Sequence, residues 1–140
     1  MEYAVGFFSR VRRAIIKSMN NDSKTTLQEL KDLLKDFRDK RDWKQFHDPK
    51  NIAEAITIEA SELQELFLWR DKPEIAEKMK DPEFRREVEE ELADVLMFTM
   101  NFANATGIDL STITRQKLEK NDQKYPVDKA KGVATKYNKL

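Results

Sequence analysis

Apolar side chains recur at spacings of three and four along most of the chain, which is the pattern of helices that bury one face. Thr26 with Glu29 forms a capping box, and an Asp-Pro pair that begins at Asp48 and again at Asp81 supplies an N-cap followed by a first-turn proline. Gly107 ends the third periodic segment. The sequence therefore predicts four helices, at about 26–41, 49–69, 82–105 and 111–125.

The composition supports an all-α protein. Charged residues make up 37% of the chain and hydrophobic residues 39%, with 3 glycines and 4 prolines, a balance that suits long amphipathic helices better than turn-rich β-structure. Four helices with short connections favour an antiparallel four-helix bundle. At 140 residues the chain is expected to form one compact domain.

The first twenty residues carry an amphipathic pattern of their own, with Glu2 as the only acid before Asp22. The apolar residues at helical spacing are Ala4, Phe7, Phe8, Val11 and Ile15. We expect residues 1–26 to be an N-terminal extension of amphipathic helix plus linker, 27–126 the main domain, and 127–140 a C-terminal tail. The extension is interpreted as an extra helix packing on the body or a second subunit, as a targeting or membrane-surface segment, or as a remnant of cloning.

Residue types that are missing or rare narrow the chemistry. The chain has no cysteine and one histidine, which excludes disulfide scaffolds, thiol nucleophiles, cysteine-ligated metals and multi-histidine metal sites. Any metal site must be built from oxygen ligands. The lack of cysteine is consistent with a reducing compartment, so a cytoplasmic location is expected. No apolar run approaches the ~18 residues of a membrane-spanning helix, so we expect a soluble protein without stable membrane insertion.

Charge is balanced overall but not along the chain. The formal net charge is +3 over residues 1–26, −8 over 27–114 and +5 over 115–140. This layout is not that of a nucleic-acid-binding protein, whose folded body would carry a basic stripe. It suits a carboxylate site that a basic segment helps to close over phosphates.

Four acids point toward the predicted interior. At ~100° per residue, Glu59 lies within the apolar arc of the second helix and Glu62 at its edge, while Glu91 and Asp94 repeat this register on the third helix. Two carboxylates ~4 Å apart repel by about 4 kcal/mol at an effective dielectric of 20. Mg²⁺ or Mn²⁺ would neutralise them, since these hard cations prefer oxygen ligands. The alternatives are protonation, pairing with Arg or Lys, or rotation of the acids into water.

The sequence resembles a known family at these positions. Glu59-Ala-Ser-Glu62 followed by Glu91-Leu-Ala-Asp94 resembles the ExxE…ExxD metal motif of the MazG-like superfamily of all-α nucleoside triphosphate pyrophosphohydrolases. Three further segments are similar to its dCTP pyrophosphatase branch: RDWKQFHDPKN at 41–51, ELFLW at 65–69, and the K-x3-N-x2-[KR]-Y-P pattern at 117–126. The resemblance covers about residues 27–140.

The resemblance implies Mg²⁺-dependent hydrolysis of a nucleoside triphosphate between its α- and β-phosphates, by a homodimer or homotetramer of this fold. Glu59, Glu62, Glu91 and Asp94 would be the metal-binding and catalytic residues, with one of them as general base. The residues implied for the phosphates are Lys117, Asn121 and Lys124, followed by Tyr125. The residues implied for the base are Trp43, Phe46 and Trp69 as stacking walls, His47 and Asn51 as polar contacts, and Phe98 near the base or sugar.

Two positions depart from the branch pattern. Relatives can carry a histidine where Leu34 stands and a tyrosine where Phe98 stands, so we expect looser base discrimination here. The leading prediction is a house-cleaning enzyme acting on dCTP or a modified dCTP. The alternatives are the same reaction on another dNTP, and a non-enzymatic helical oligomer with ion-paired interior acids. The aromatic residues also fit ordinary packing at helix ends.

Overall fold

The computed structural model describes residues 21–139, and within that range the chain is helical without a β-strand. The helices, each named here with its bounds, are α1 Leu27–Asp39, α2 Pro49–Glu65, α3 Lys72–Lys78, α4 Pro82–Thr106, α5 Leu110–Lys124 and α6 Val127–Ala130. Short 3₁₀ turns lie at Trp43–Phe46 and Tyr137–Lys139. The all-α class is confirmed. The expected N-terminal helix lies outside the described residues.

The predicted start signals are present as hydrogen bonds. Thr26 and Glu29 form the capping box at α1, with the Glu29 backbone N–H donating to Thr26 Oγ1 at 3.2 Å and the Thr26 backbone N–H donating to Glu29 Oε2 at 2.7 Å. Asp48 and Asp81 cap α2 and α4 as predicted. Gly107 ends α4 with φ 71, in the left-handed region that glycine adopts without strain.

The second helix is shorter than predicted. It ends at Glu65 rather than about Trp69, because the backbone N–H groups of Phe67 and Leu68 bond three residues back and tighten the chain into a turn. A further helix that the sequence analysis did not predict, α3, follows with its own capping box between Asp71 and Glu74. The short helix α6 likewise lies inside the segment expected to be an irregular tail.

The closest packing is between α2 and α4, which run antiparallel. The ring of Phe67, just after α2, lies 6.0 Å from the ring of Phe84 in the first turn of α4, edge to face. The end of α2 is therefore next to the start of α4. The buried apolar residues are Ile52, Phe84, Met100 and Ala103, one on α2 and three on α4. The pair α2–α4 thus forms the core of the described chain.

Helix α1 packs on the far end of α4, where Asn104 Nδ2 donates to the carbonyl of Lys31 at 2.9 Å. Helix α5 has no buried residue, and its Leu118 is 61% exposed. The placement of a fourth helix in one packed bundle therefore stays a prediction. Among the described helices, none is both long enough and apolar enough to cross a membrane.

Candidate active site

Three of the four predicted acids come together between α2 and α4. Glu59, Glu62 and Glu91 each offer a carboxylate oxygen, and these oxygens all lie within 4.8 Å of one another. Glu59 and Glu91 are half-buried, whereas Glu62 is exposed. Asp94 is half-buried and outside this trio, but its charge acts on both Glu59 and Glu91.

Antiparallel packing decides which acids face each other. On Glu59 the strongest neighbouring charge is that of Asp94, and on Glu91 it is that of Glu62. Burial, and then repulsion from these carboxylates, raises the pKa of Glu59 and the pKa of Glu91. In the sequence, Glu59 and Glu91 occupy the same position of their motifs. Because the helices run in opposite directions, the strongest charge on each of them comes from the second acid of the other motif, while the carboxylate oxygens of Glu59, Glu62 and Glu91 still lie within 4.8 Å of one another.

The outward acids on the same two helices behave differently. Glu54 pairs with Lys50 at 3.2 Å, Glu89 with Arg85 at 2.8 Å, and Glu90 with Arg86 at 2.7 Å, each one helical turn away.

Between residues 21 and 139, no ion pair involves any of the four predicted acids, Glu59, Glu62, Glu91 and Asp94. The sequence supplies arginine and lysine to the outer faces of these helices and none to the inner site. A clustered, unpaired, all-oxygen donor set is one that a hard divalent cation fits.

An aromatic turn precedes α2. Trp43 and Phe46 are exposed on the 3₁₀ turn Trp43–Phe46, and the Trp43 ring lies 5.9 Å from that of Phe37, edge to face. His47 follows, half-buried, with its Nδ1 atom buried and without a hydrogen-bond partner. Burial, and then the charge of Arg38, lowers the pKa of His47. Both effects favour the neutral form of the single histidine.

Trp69 lies beyond the other end of α2. Its side chain is 97% exposed, and its backbone is in the left-handed region at φ 61. It lines an open cavity of about 350 Å³ with Arg70, Glu74, Glu77 and Lys78. Because α2 has 17 residues and is about 25 Å long, this residue and the turn at Trp43 stand at opposite ends of one helix. Within a single chain, the aromatic residues predicted to stack on the base therefore lie in two separate places, Trp43 and Phe46 before α2 and Trp69 beyond its end.

The predicted phosphate ligands lie on α5 and at its end. Lys117, Asn121 and Lys124 share one face at i, i+4 and i+7, and the Lys124 ammonium lies 4.9 Å from the ring centroid of Tyr137. The Tyr125 ring packs edge to face on the same tyrosine at 6.0 Å. No contact described for these four residues joins them to the acidic site. Phe98, one turn beyond Asp94 on α4, is half-buried.

Two arginines near the aromatic turn were missed by sequence reasoning. Arg38 is 6% exposed and donates from Nε and Nη2 to Asp39 at 2.8 and 2.5 Å. Arg41, two residues beyond the end of α1, stacks on Phe37, four residues earlier in the chain. The sequence signal for Arg41 is the i, i+4 spacing of an aromatic residue and an arginine, at which a cation–π contact can form.

Comparison with known proteins decides the family. A family model described as the MazG-like family matches residues 54–140. The chain belongs to the MazG-like family. The matched residues include all four site acids and the basic segment at 117–126, and they begin after the aromatic turn.

Individual MazG-like relatives extend the similarity. The chain is 37% identical over 115 residues to dCTP pyrophosphatase 1 of Rattus norvegicus and 35% identical over 115 residues to that of Homo sapiens, covering 82% of this chain and 68% of each relative. The crystal structure of a pyrophosphatase from Archaeoglobus fulgidus DSM 4304 is similar at a TM-score of 0.67 and 42% identity, covering 71% of this chain and 92% of that one. The resemblance to the dCTP pyrophosphatase branch is thereby confirmed.

Proposed function

We propose that this protein hydrolyses a deoxynucleoside triphosphate, with dCTP or a modified dCTP as the leading substrate, to the monophosphate and pyrophosphate. Removal of unwanted nucleotides from the pool would be its role. The observation that carries the proposal is the cluster of carboxylates between α2 and α4, which form no ion pair with any other residue of the described range. The printed names of the relatives, dCTP pyrophosphatase 1 and a pyrophosphatase, support the reaction class and the leading substrate.

The acids fit Mg²⁺, with Mn²⁺ as a second suitable ion, because the donor set is entirely carboxylate and partly open to solvent. Glu59, Glu62, Glu91 and Asp94 would hold it. Such an ion supplies charge neutralisation for the triphosphate and lowers the pKa of a coordinated water. Glu59, the half-buried acid on α2, is our choice for the general base.

The remaining predicted binding residues form two groups, one for the phosphates and one for the base. Lys117, Asn121 and Lys124 would donate hydrogen bonds to the β- and γ-phosphates from one face of α5, with Tyr125 at its end. The exposed rings of Trp43, Phe46 and Trp69 would stack on the base, with Phe98 at the base or sugar. His47 would provide a polar contact of the base pocket, whereas Asn51, expected to be a second one, donates its Nδ2–H to the Phe46 carbonyl at 3.2 Å.

We further propose that the active form is a homodimer or homotetramer. Ile58 on α2 and Leu92 on α4 are more than half exposed, as is Leu118 on α5, which leaves apolar surface on three helices of a lone chain. The 25 Å length of α2 separates the two groups of predicted base-binding residues, and the lysines of α5 make no described contact with the acids. A second copy is the simplest source of the missing half of each site.

A broader substrate range is the second candidate. Leu34 and Phe98 are apolar at positions where relatives of this branch can place hydrogen-bonding side chains. A pocket without these polar groups discriminates weakly between bases. The non-enzymatic alternative required ion-paired acids, and the described structure pairs the outward acids instead.

The test is pyrophosphate release from four dNTPs with Mg²⁺, compared between wild type, Glu59→Gln and Glu54→Gln. Glu54 is the matched control because it is a glutamate on the same helix that faces outward and pairs with Lys50. We expect wild type and Glu54→Gln to release pyrophosphate and Glu59→Gln to release none. Release by Glu59→Gln at the wild-type rate would overturn the site assignment.

A further inference from the structure

The aromatic turn Trp43–Phe46 is held by its own hydrogen bonds and by contacts with the neighbouring helices. Within the turn, Gln45 Nε2 donates to the carbonyl and to the Oδ2 atom of Asp42 at 3.0 and 3.1 Å. It enters through Asp42, whose φ of 54 is in the left-handed region that non-glycine residues adopt rarely, and Asp42 provides no side-chain cap. A 3₁₀ helix of four residues has poor hydrogen-bond geometry and little intrinsic stability. Contacts with α1 and α2 therefore add to the bonds that keep the turn in place.

The first contact fixes the start of the turn to α1. The guanidinium carbon of Arg41 lies 3.5 Å from the ring centroid of Phe37 and 5.7 Å from that of Trp43. Its Nη1 donates to the Phe37 carbonyl at 2.9 Å. The flat, forked arginine thus bridges the two rings while it is hydrogen-bonded to the helix backbone, which a lysine ammonium cannot reproduce.

The second contact fixes the end of the turn to α2. Asn51 Nδ2 donates to the Phe46 carbonyl at 3.2 Å. The backbone N–H of Asn51 donates to the capping carboxylate of Asp48 at 3.0 Å, so this side chain projects from the first turn of a well-formed helix. The end of the aromatic turn is therefore attached to the same helix that carries Glu59 and Glu62.

We propose that Arg41 and Asn51 are positioning residues, which clamp the two ends of the turn Trp43–Phe46 and so pre-form the base-binding wall before substrate arrives. The inference rests on the proposed function for its substrate, since it takes this turn as a wall of the nucleotide site. Neither residue needs to touch the nucleotide. Their effect is to remove the ordering cost that a loose aromatic turn would add to each binding event.

A fluorescence experiment tests the clamp without reference to activity. The chain has two tryptophans, so Trp69→Phe leaves Trp43 as the single tryptophan reporter. In that background we expect Arg41→Lys and Asn51→Asp each to raise acrylamide quenching of the remaining tryptophan by about twofold, because the turn samples more exposed positions. Quenching equal to that of the parent protein in both variants would overturn the clamp.

The matched control is Asn104→Asp, which removes the same kind of bond elsewhere. Asn104 Nδ2 donates to the Lys31 carbonyl at 2.9 Å and joins α4 to α1 away from the turn. Its loss is expected to lower the midpoint of thermal unfolding while leaving quenching and KM unchanged. If the bonds only stabilise the fold, Arg41→Lys, Asn51→Asp and Asn104→Asp should change quenching and KM to the same extent. That result would also overturn the clamp.

Kinetics on the unmodified tryptophan background give the second readout. We expect Arg41→Lys and Asn51→Asp to raise KM for dCTP about tenfold and to change kcat less than about twofold, because pre-organisation acts on binding in the ground and transition states alike. If Arg41→Lys has the KM of wild type, the positive charge of the residue is sufficient and the flat guanidinium is not needed. That result would contradict the proposal. If wild type releases no pyrophosphate from any dNTP, the proposed function fails, while the quenching comparison still decides the clamp.

Discussion

Phe67 and Phe84 lie 6.0 Å apart, edge to face, at the end where α2 finishes and α4 begins. This contact fixes the two helices antiparallel and sets their register. Glu59 lies eight residues before Phe67 and Asp94 ten residues after Phe84, so the two acids lie at similar heights along the helix pair, and the charge of Asp94 is the strongest that acts on Glu59. An apolar contact about two to three turns from these acids thus joins the two helices that carry them.

Truncation of this contact is expected to be costly. Phe84 is 5% exposed, so Phe84→Ala should lower the free energy of unfolding by about 3–5 kcal/mol, the usual cost of removing a buried phenyl ring. Phe46→Ala is the matched control, because that ring is 60% exposed and its loss should cost less than about 1 kcal/mol. Urea unfolding followed by circular dichroism measures both. Equal losses in the two variants would show that the α2–α4 core is wrongly placed.

Neutralising one site acid is expected to stabilise the metal-free fold. Glu59→Gln removes a half-buried charge that three neighbouring carboxylates repel, so its Tm in EDTA should exceed that of wild type by about 2–4 °C. Asp94→Asn should act in the same direction, and both variants should lose activity. Glu54→Gln, which loses a surface ion pair, should leave Tm within about 1 °C of wild type. A lower Tm in both site variants would contradict mutual repulsion.

The stabilisation expected for Glu59→Gln depends on pH, because the folded state raises the pKa of the site acids. Burial and repulsion raise the pKa of Glu59 and of Glu91 above the usual 4.5, so the charged forms destabilise the folded state above the raised values. This destabilisation disappears as the pH falls through the raised values toward 4.5. The Tm difference between Glu59→Gln and wild type in EDTA should therefore shrink between pH 7 and pH 4. A Tm difference that grows as the pH falls would show that the pKa values of these acids are not raised in the folded state.

Much of this fold was predictable because its signals are local. Asp48 and Asp81 begin helices where the sequence predicts them, since an N-cap and a proline act within one turn. Helix α3 was not predicted, although the capping box between Asp71 and Glu74 is present in the sequence.

The candidate site was predictable only in part. The inward direction of Glu59 and Glu91 follows from helical period, and neither forms an ion pair with another residue in the described part of the chain. The separation of Trp43 from Trp69 does not follow from their motifs, because it depends on where α2 ends and how it packs. The position of α5 relative to the acids depends on tertiary contacts in the same way.

Base selectivity is expected to be modest. Each lost hydrogen bond at Leu34 and Phe98 relaxes discrimination by ~1 kcal/mol, about fivefold, so dCTP should lead other dNTPs by tens rather than thousands in kcat/KM. Trp69→Ala should raise KM for every base, since stacking is insensitive to hydrogen-bonding pattern. His47→Ala should narrow the gap between cytosine and the other bases. A wild-type preference above about 10⁴-fold, or unchanged ratios in His47→Ala, would refute this pocket.

Self-association is expected at micromolar concentration. Exposed apolar side chains on α2, α4 and α5 leave a surface that a second copy would cover. Light scattering should give a mass of about two or four times 16.5 kDa. A Leu92→Lys variant, which places a charge on α4 where the side chain is 55% exposed, should shift the mass toward one chain. A wild-type mass of one chain would contradict the oligomer.

The bond cleaved in the nucleotide distinguishes a pyrophosphohydrolase from a phosphatase. The products of dCTP incubated with wild-type protein and Mg²⁺ are separated by ion-exchange chromatography and measured together with inorganic pyrophosphate. The account predicts dCMP and pyrophosphate in equal amounts, and neither product in EDTA or with Glu59→Gln. Formation of dCDP and inorganic phosphate, or full turnover in EDTA, would contradict it.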